Sequence, residues 1–478
     1  MTSFKDAAIK QKGKAKTRTT NGMKARVTSA SSIVDLFNVI GSSRGSVVTG
    51  PFAAALAHDE EKAVRILLWA RDILEGAGER QQFRSLLKVL EKYDYKLAGK
   101  LIPKIPELGR WDDLFSYENP ENIAKAFDLY ATALNSGDAL AAKWAPREKS
   151  TKKKIAYQLR KHLGLKPKEY RKLLVSNTDV VENKMCAQDW KNINFSHVPS
   201  IAAFRYQKAF GKHSPSKYSL YLNALETGGV IDGEKVKVNS KALYPHDVIM
   251  SILKGHDSVA YAQWEAMPDF TNDTRILPVV DVSGSMGRLS YTYSLDPIHV
   301  AVSLGLYLSE KNTSAFKDVF ITFSSNPKIE VLKGNLKLKL QQLNRAEWGM
   351  STNLQKAFDA ILDLAVASKL KEKDMPEYLL ILSDMQFDHC IDYYDDSAIQ
   401  MIKRKYTKAG YEVPKIIFWN LSRHTTNTTV KFDKNNTAMI SGFSPSIMKS
   451  VLSVDLESFT PENVMLETIM SERYNYLD

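Results

Sequence analysis

Five oxygen-bearing residues stand out for the chemistry that their spacing allows. Asp281-Val-Ser283-Gly-Ser285 sets a carboxylate and two hydroxyls on alternate residues, and Gly284 permits the tight turn that aims them at one point. Thr352, in Gly349-Met-Ser-Thr352-Asn, precedes a later helix, and Asp384 ends the run Leu380-Ile-Leu-Ser-Asp384. Hard oxygen donors with only two carboxylates suit Mg²⁺, or Mn²⁺, holding several waters and one open position. An acidic group of a protein partner would fit that position. The plainer alternative leaves the site empty, with Asp281 and Asp384 capping helices. A nucleophilic role for Ser283 or Ser285 needs a positioned histidine, and the chain order favours neither His299 nor His389. No catalytic residue is assigned, and the chain reads as non-enzymatic.

A second group is basic. Twelve lysines and arginines between Lys143 and Lys172 face only two acids, Glu148 and Glu169, with Trp144, Tyr157 and Tyr170 interleaved. Lys152, Lys153, Lys154, Arg160, Lys161, Arg171 and Lys172 are the candidates for contact with RNA phosphates. The aromatics would stack unpaired bases. The alternative is a solvated helix face whose aromatics belong to the core.

These residues need elements to hold them. From about 31 to 270 the periodicity is helical: Ile66, Trp69, Ala70, Ile73 and Leu74 form one stripe. Phe83, Leu86, Leu87 and Leu90 form a second, and Ile123, Phe127, Tyr130, Ala131 and Leu134 a third. Short amphipathic helices separated by Pro and Gly predict a HEAT-like helical repeat, or α-solenoid, although no fixed period is visible. Near residue 273 the pattern changes to short apolar runs alternating with helices. Strands are expected at 275–280, 319–323, 378–382, 415–419 and 438–440, and helices at 296–308, 353–368, 397–409, 445–453 and 461–471. That alternation predicts a doubly wound, mostly parallel α/β sheet of Rossmann-like type, with ligands at the carboxyl ends of its strands. The metal-site candidates all fall on that edge.

Composition narrows the class. The chain has 478 residues and a net charge of +12, and the basic excess points to a polyanionic partner, most often nucleic acid and less often an anionic membrane surface. Residues 1–30 carry eight lysines and arginines against Asp6, with too little apolar surface to fold. They are expected to form a disordered basic tail, read as a nucleic-acid-binding arm, a solvated tail or a transit peptide. Cys186 and Cys390 form no CxxC pair, and no HExxH or GxxxxGK[ST] occurs, so thiolate zinc sites and a resident ATPase are excluded. No small-molecule substrate is implied. No run of about 18 apolar residues exists, which predicts no membrane span and a soluble, intracellular, cytoplasmic protein.

The Asp-Ser-Ser, Thr and Asp set resembles the metal-ion-dependent adhesion site (MIDAS) of von Willebrand factor A (vWA) domains, which implies Asp281, Ser283, Ser285, Thr352 and Asp384 as ligands. Helical repeats followed by such a domain resemble the TROVE and vWA architecture of the Ro ribonucleoproteins. The chain is still more similar to a relative family of unknown function in plants, fungi and large viruses. The matching stretches are Arg71-Asp-Ile-Leu-Glu-Gly-Ala-Gly-Glu-Arg80, Ile105-Pro-Glu-Leu-Gly-Arg-Trp-Asp-Asp-Leu114, Val198-Pro-Ser-Ile-Ala202, Leu382-Ser-Asp-Met-Gln-Phe387 and Phe418-Trp-Asn420. The resemblance implies a ring of helical repeats, closed by the A domain, that binds structured RNAs. The expected organisation is a tail (1–30), a helical TROVE-like domain (31–270) and a vWA-like domain (271–478). The expected function is RNA binding by the basic helical repeats, with a divalent cation held by the vWA-like domain. The alternatives are a metal-dependent protein-interaction or assembly module, as in a virion, and an adaptor for an ATPase carried by another chain.

Overall fold

The computed structural model describes residues 16–18, 24–44, 46, 48–240, 243–255, 257–271, 273–290, 295–323, 327–345, 353–387, 398–422 and 428–477. Its first half is helical. Ser32–Ile40, Thr49–His58, Glu60–Arg71 and Arg80–Tyr93 pack in succession, and the short helix Tyr95–Lys100 carries the packing on to Pro120–Asn135, each burying its apolar residues. Phe83, Leu86, Leu87 and Leu90 are all buried as their spacing requires. The first stripe stops short. The helix ends at Arg71, where Asp72 turns out of helical geometry and accepts the Leu74 N–H at 3.0 Å, leaving Leu74 exposed. The basic helices Lys153–His162 and Pro167–Asn177 follow. Ser200–His213 and Pro215–Thr227 then build a smaller core around Phe195, Phe210 and Tyr218. A two-stranded turn, β3 (Val230–Ile231) and β4 (Glu234–Lys235), comes next, and Pro245–Leu253 and Asp257–Glu265 lead to the sheet.

Six strands form that sheet: β5 (Ile276–Asp281), β6 (Val319–Phe323), β7 (Lys328–Val331), β8 (Tyr378–Ser383), β9 (Lys415–Asn420) and β10 (Thr437–Ser441). Their spatial order is β10-β9-β8-β5-β6-β7, parallel except for β7. Every residue of β5, β8 and β10 is buried, the signature of parallel strands covered on both faces by helices. Pro297–Lys311 packs against β5. The fold is therefore a helical repeat followed by a doubly wound α/β domain of vWA type. The edge strand β7 and the helix Leu336–Arg345 were not expected. β7 is short and half-exposed, and its Lys328 and Glu330 break the apolar run by which buried strands are found.

Helices and sheet share one continuous core running from Ile33 to Tyr476. The helix Ser32–Ile40 packs on β10 so closely that a Cβ on Gly41 would stand 2.4 Å from the Ser441 carbonyl oxygen. Ser441 Oγ accepts the Gly41 N–H at 3.0 Å and donates to the Phe37 carbonyl at 3.2 Å.

The chain start departs from expectation. β1 (Lys16–Arg18) pairs antiparallel with β2 (Lys24–Arg26) instead of remaining without structure. Arg26 exchanges both backbone bonds with Thr428, at 3.0 and 2.9 Å. Ser29 is buried and accepts the Phe432 N–H at 3.1 Å, while its own N–H reaches Asp35 at 2.7 Å. Composition argued against order because it counts apolar side chains, whereas this segment is held by main-chain bonds, which any sequence can make. Residues 1–15 and 19–23 lie outside the described residues.

Candidate metal centre and basic surface

The strand order reverses at β5. From β5 the chain moves outward to β6 and β7, then returns to lay β8 on the other side of β5. Asp281 ends β5, and Asp384 directly follows β8. The two carboxylates therefore flank the switch point, where doubly wound sheets open a crevice at their carboxyl edge.

Local bonds fix the group. Asp281 is fully buried, and its Oδ1 accepts the Ser283 N–H at 2.9 Å. The Oγ atoms of Ser283 and Ser285 stand 3.1 Å apart, Ser283 buried and Ser285 exposed on the short turn Gly284–Met286. Ser383 Oγ donates to Asp281 Oδ2 at 2.6 Å and accepts the Met385 N–H at 3.0 Å. Asp384 is buried, and its Oδ1 accepts the Gln386 N–H at 3.0 Å. Between them Met385 adopts a left-handed φ of 64°, a strained conformation for a non-glycine residue, which turns the chain sharply after Asp384.

Burial, then the charge of Asp384, push the Asp281 carboxyl up to about 7, while bonds from Ser383 and Ser283 pull the other way. Two carboxylates buried within each other's field, beside two hydroxyls and a solvent-exposed rim, are a donor set that fits a hard divalent cation. Such a cation would remove the repulsion that raises Asp281.

Asp281, Ser283, Ser285 and Asp384 are thus brought to one edge of the sheet. Thr352 lies outside the described residues, as does His389. The residue after Thr352, Asn353, caps the helix Leu354–Ala367 through a 3.1 Å bond from Lys356 N–H. Ser383 was missed by the sequence reading. Its only signal was a small polar residue between a buried strand and Asp384. Asn420, the last residue of the stretch Phe418-Trp-Asn420, is buried at the end of β9, in register with Ser383, and its Nδ2 has no hydrogen-bond partner among the described residues. His299 has another task. Its Nδ1 accepts the Asp296 N–H at 3.1 Å and its Nε2 meets the Ser290 carbonyl at 2.8 Å, at the start of the helix Pro297–Lys311.

The basic run divides. Lys152 pairs with Asp112 at 3.0 Å and Arg160 with Glu148 at 2.7 Å, so both are engaged within the fold. Lys153, Lys154 and Lys161 on one helix, and Lys168, Arg171 and Lys172 on the next, are exposed. Tyr157 shares the line of Lys153 and Lys161 at i, i+4 spacing and is 54% exposed. Tyr170 is core, its hydroxyl donating to the Pro146 carbonyl at 3.0 Å, and Trp144 lies under Arg110 at 4.4 Å. Of the three interleaved aromatics, Tyr157 alone is exposed on this face, with the Arg160 guanidinium over its ring at 5.2 Å.

Helical repeats carrying a vWA-type sheet, with acidic and hydroxyl groups at its switch point, define the class. Residues 275–474 match the family described as "Domain of unknown function (DUF7788)", and residues 122–274 match "Domain of unknown function (DUF2828)". "Uncharacterized protein L728" of Acanthamoeba polyphaga mimivirus is 30% identical over 511 aligned residues, which cover 94% of this chain and 86% of that protein. The chain belongs to the same family as this viral protein. Among solved structures, the RO (RSR) protein of Deinococcus radiodurans is similar at 13% identity with a TM-score of 0.36, over 92% of this chain and 93% of that one. Among the described residues no helix is long and apolar enough to cross a membrane.

Proposed function

We propose that the protein binds RNA through the exposed cations of Lys153–His162 and Pro167–Asn177, without catalysing a reaction, and that its vWA-type domain holds Mg²⁺ or Mn²⁺. The observation that carries the RNA reading is the exposure of Lys153, Lys154, Lys161, Lys168, Arg171 and Lys172 on consecutive helices, with Tyr157 open beside them. Closely spaced cations beside an exposed aromatic ring suit a single strand, whose phosphates and unstacked bases they would engage together. Asp281, Ser283, Ser285 and Asp384 would hold the cation, and Thr352 is the further ligand implied by the A-domain pattern. The cation would supply one open position for an acidic group.

Filter binding to a single-stranded RNA at low salt tests the first part. Binding should persist in EDTA, because the lysines and not the metal carry it. Absence of binding at low salt would overturn the reading. Titration calorimetry with MgCl₂ or MnCl₂ tests the second. Asp281→Ala should lose the binding heat while its circular dichroism stays that of the parent, since the substitution relieves a buried repulsion instead of opening a core. Equal metal affinity in the variant would remove Asp281 from the site.

A second reading rests on the exposed rim at Ser285. There the protein would capture an acidic residue of a protein partner through the cation, as an assembly module. In that case EDTA and Asp281→Ala release the partner, and the lysines are irrelevant.

A further inference from the structure

Two stretches that carry the family resemblance, Arg71–Arg80 and Ile105–Leu114, have no part in the metal centre or in the exposed basic face. In the fold they meet. Arg71 is almost fully buried, and its Nε donates to Asp113 Oδ2 at 2.7 Å. A Cβ on Gly109 would stand 2.6 Å from the same Nε, so only glycine lets the second stretch run against the guanidinium. Together the stretches wall a cavity of about 370 Å³ into which Arg44, Arg71, Arg80 and Arg110 all contribute.

The charges around this cavity do not cancel. Asp113 is held by Arg71 and by Arg84, the latter at 2.6 Å. Asp112 is held by Arg84 at 2.9 Å and Lys152 at 3.0 Å. Glu79 is buried and paired with Arg44 at 3.1 Å. Arg80 and Arg110 have no carboxylate partner among the described residues, and Arg80 Nε is buried with no hydrogen bond among them. Burial, then the charge of Arg80, lower the Arg110 guanidinium, which lies over the Trp144 ring. The first turn of the 14-residue helix Arg80–Tyr93 lines the same cavity, and Glu79 at its N-cap position makes no side-chain cap bond. Uncapped N–H groups and the positive end of a helix favour an anion.

Unpaired cations at half-buried positions cost stability unless something completes them. We propose that this cavity is a phosphoryl-binding site, in which the guanidinium forks of Arg80 and Arg110 take the oxygens of a phosphate monoester and the helix Arg80–Tyr93 faces it with its N-terminus. Two unpaired guanidinium groups and a helix N-terminus balance a dianion better than a single carboxylate, and planar forks match phosphate oxygens in pairs. The cavity volume falls at the lower end of sites that enclose small organic ligands, so there is space for a nucleotide-sized body behind the phosphoryl group. A free nucleotide and the phosphorylated end of an RNA present the same chemistry. The proposal does not rest on the RNA reading, because a mononucleotide alone tests it.

The test is titration calorimetry of the full chain with AMP, inorganic phosphate and adenosine in chloride buffer. AMP should bind, phosphate should compete with it, and adenosine should give no heat. Arg80→Gln and Arg110→Gln should each weaken AMP by about tenfold, the scale of one charge-assisted bond. Neither should lower the unfolding temperature of the ligand-free protein, because each removes an unpaired cation from a cluster of cations. Tighter binding of a 5′-phosphorylated hexaribonucleotide than of both AMP and the 5′-hydroxyl oligomer assigns the phosphoryl group to an RNA end, and tighter binding of AMP assigns it to a free nucleotide. The proposal is overturned if AMP, phosphate and the 5′-phosphorylated oligomer all fail to bind. It is equally overturned if both arginine variants bind AMP as the parent does, or if adenosine and a 5′-hydroxyl oligomer bind as tightly as their phosphorylated forms.

Discussion

The seam where helices meet sheet and the exposed basic helices use polar residues in opposite ways. At the seam, Asp72 is fully buried. It accepts hydrogen bonds from Arg473, whose Nη2 is at 2.7 Å, and from the Tyr474 hydroxyl at 3.0 Å. The Tyr244 hydroxyl donates to the Ala77 carbonyl at 3.3 Å, and His246 packs edge-on to Phe443. On the basic helices, Lys153, Lys154 and Lys161 stand in water, with no partner among the described residues. A buried polar group without its partner costs the full desolvation penalty, whereas an exposed charge contributes little to stability. The seam should therefore govern whether the chain stays closed, and the basic helices should govern what it binds. Each region should be nearly silent in the other's assay.

The largest effect is expected from Asp72→Ala. It strips the buried Tyr474 hydroxyl and the half-buried Arg473 guanidinium of their acceptor and cuts the tie between the end of the helix Glu60–Arg71 and the C-terminal residues. Removing one member of a buried pair costs about 3–5 kcal/mol, and the partial exposure of Arg473 places this case near the lower figure. The urea midpoint should fall accordingly, with RNA affinity of the folded protein unchanged. A loss below about 1 kcal/mol would mean that the seam is not where the fold is fastened.

His246 gives the seam a pH dependence. Burial, reinforced by Arg44 and His299 and opposed by Asp247, lowers its folded pKa to about 4, against 6.5 in the unfolded chain. Its Nδ1 has no hydrogen-bond partner among the described residues. Above pH 6.5 the ring is neutral in both states and nothing changes. As pH falls from 6.5 towards 4, the unfolded chain takes up a proton that the folded chain refuses, so stability drops, by roughly 3 kcal/mol across the window. The difference in stability between parent and His246→Phe, followed by urea denaturation from pH 7.5 to 4, should carry this slope. Parallel curves would show that the ring is charged, or solvated, in the folded state.

The sheet and most of the candidate metal site were legible in the sequence because both are local. Tyr378–Leu382 and Ile416–Trp419 are continuous apolar runs, and Asp281, Ser283 and Ser285 sit on alternate residues at the end of another. The seam was not legible. Asp72 and Arg473 are 401 residues apart, and nothing in either neighbourhood names the other. The same holds for the main-chain pairing of Arg26 with Thr428, which has no side-chain signature at all. The basic run was visible as charge, but charge alone did not separate Lys152 and Arg160, which serve the fold, from their exposed neighbours. Only the positions of Asp112 and Glu148 make that distinction.

That distinction yields the smallest effect on stability and the most selective effect on binding. Lys153, Lys154 and Lys161 replaced together by Ala should alter stability by no more than about 0.5 kcal/mol, since none supports a partner. The plot of log affinity for single-stranded RNA against log salt should flatten by up to about two units, because each phosphate no longer neutralised by a lysine takes about 0.7 off the slope. The weakening should be uniform across RNA sequences, as expected where cations read phosphates and not bases. Lys152→Ala should behave in the opposite way. It releases Asp112 from a 3.0 Å bond inside the fold, so its main effect should appear in the urea midpoint and not in the salt slope. If instead Lys152→Ala flattens the slope while the triple variant leaves it untouched, the RNA does not lie on the exposed face. The division between a fastening seam and a binding surface would then have to be redrawn around Asp112, which Lys152 and Arg84 both hold.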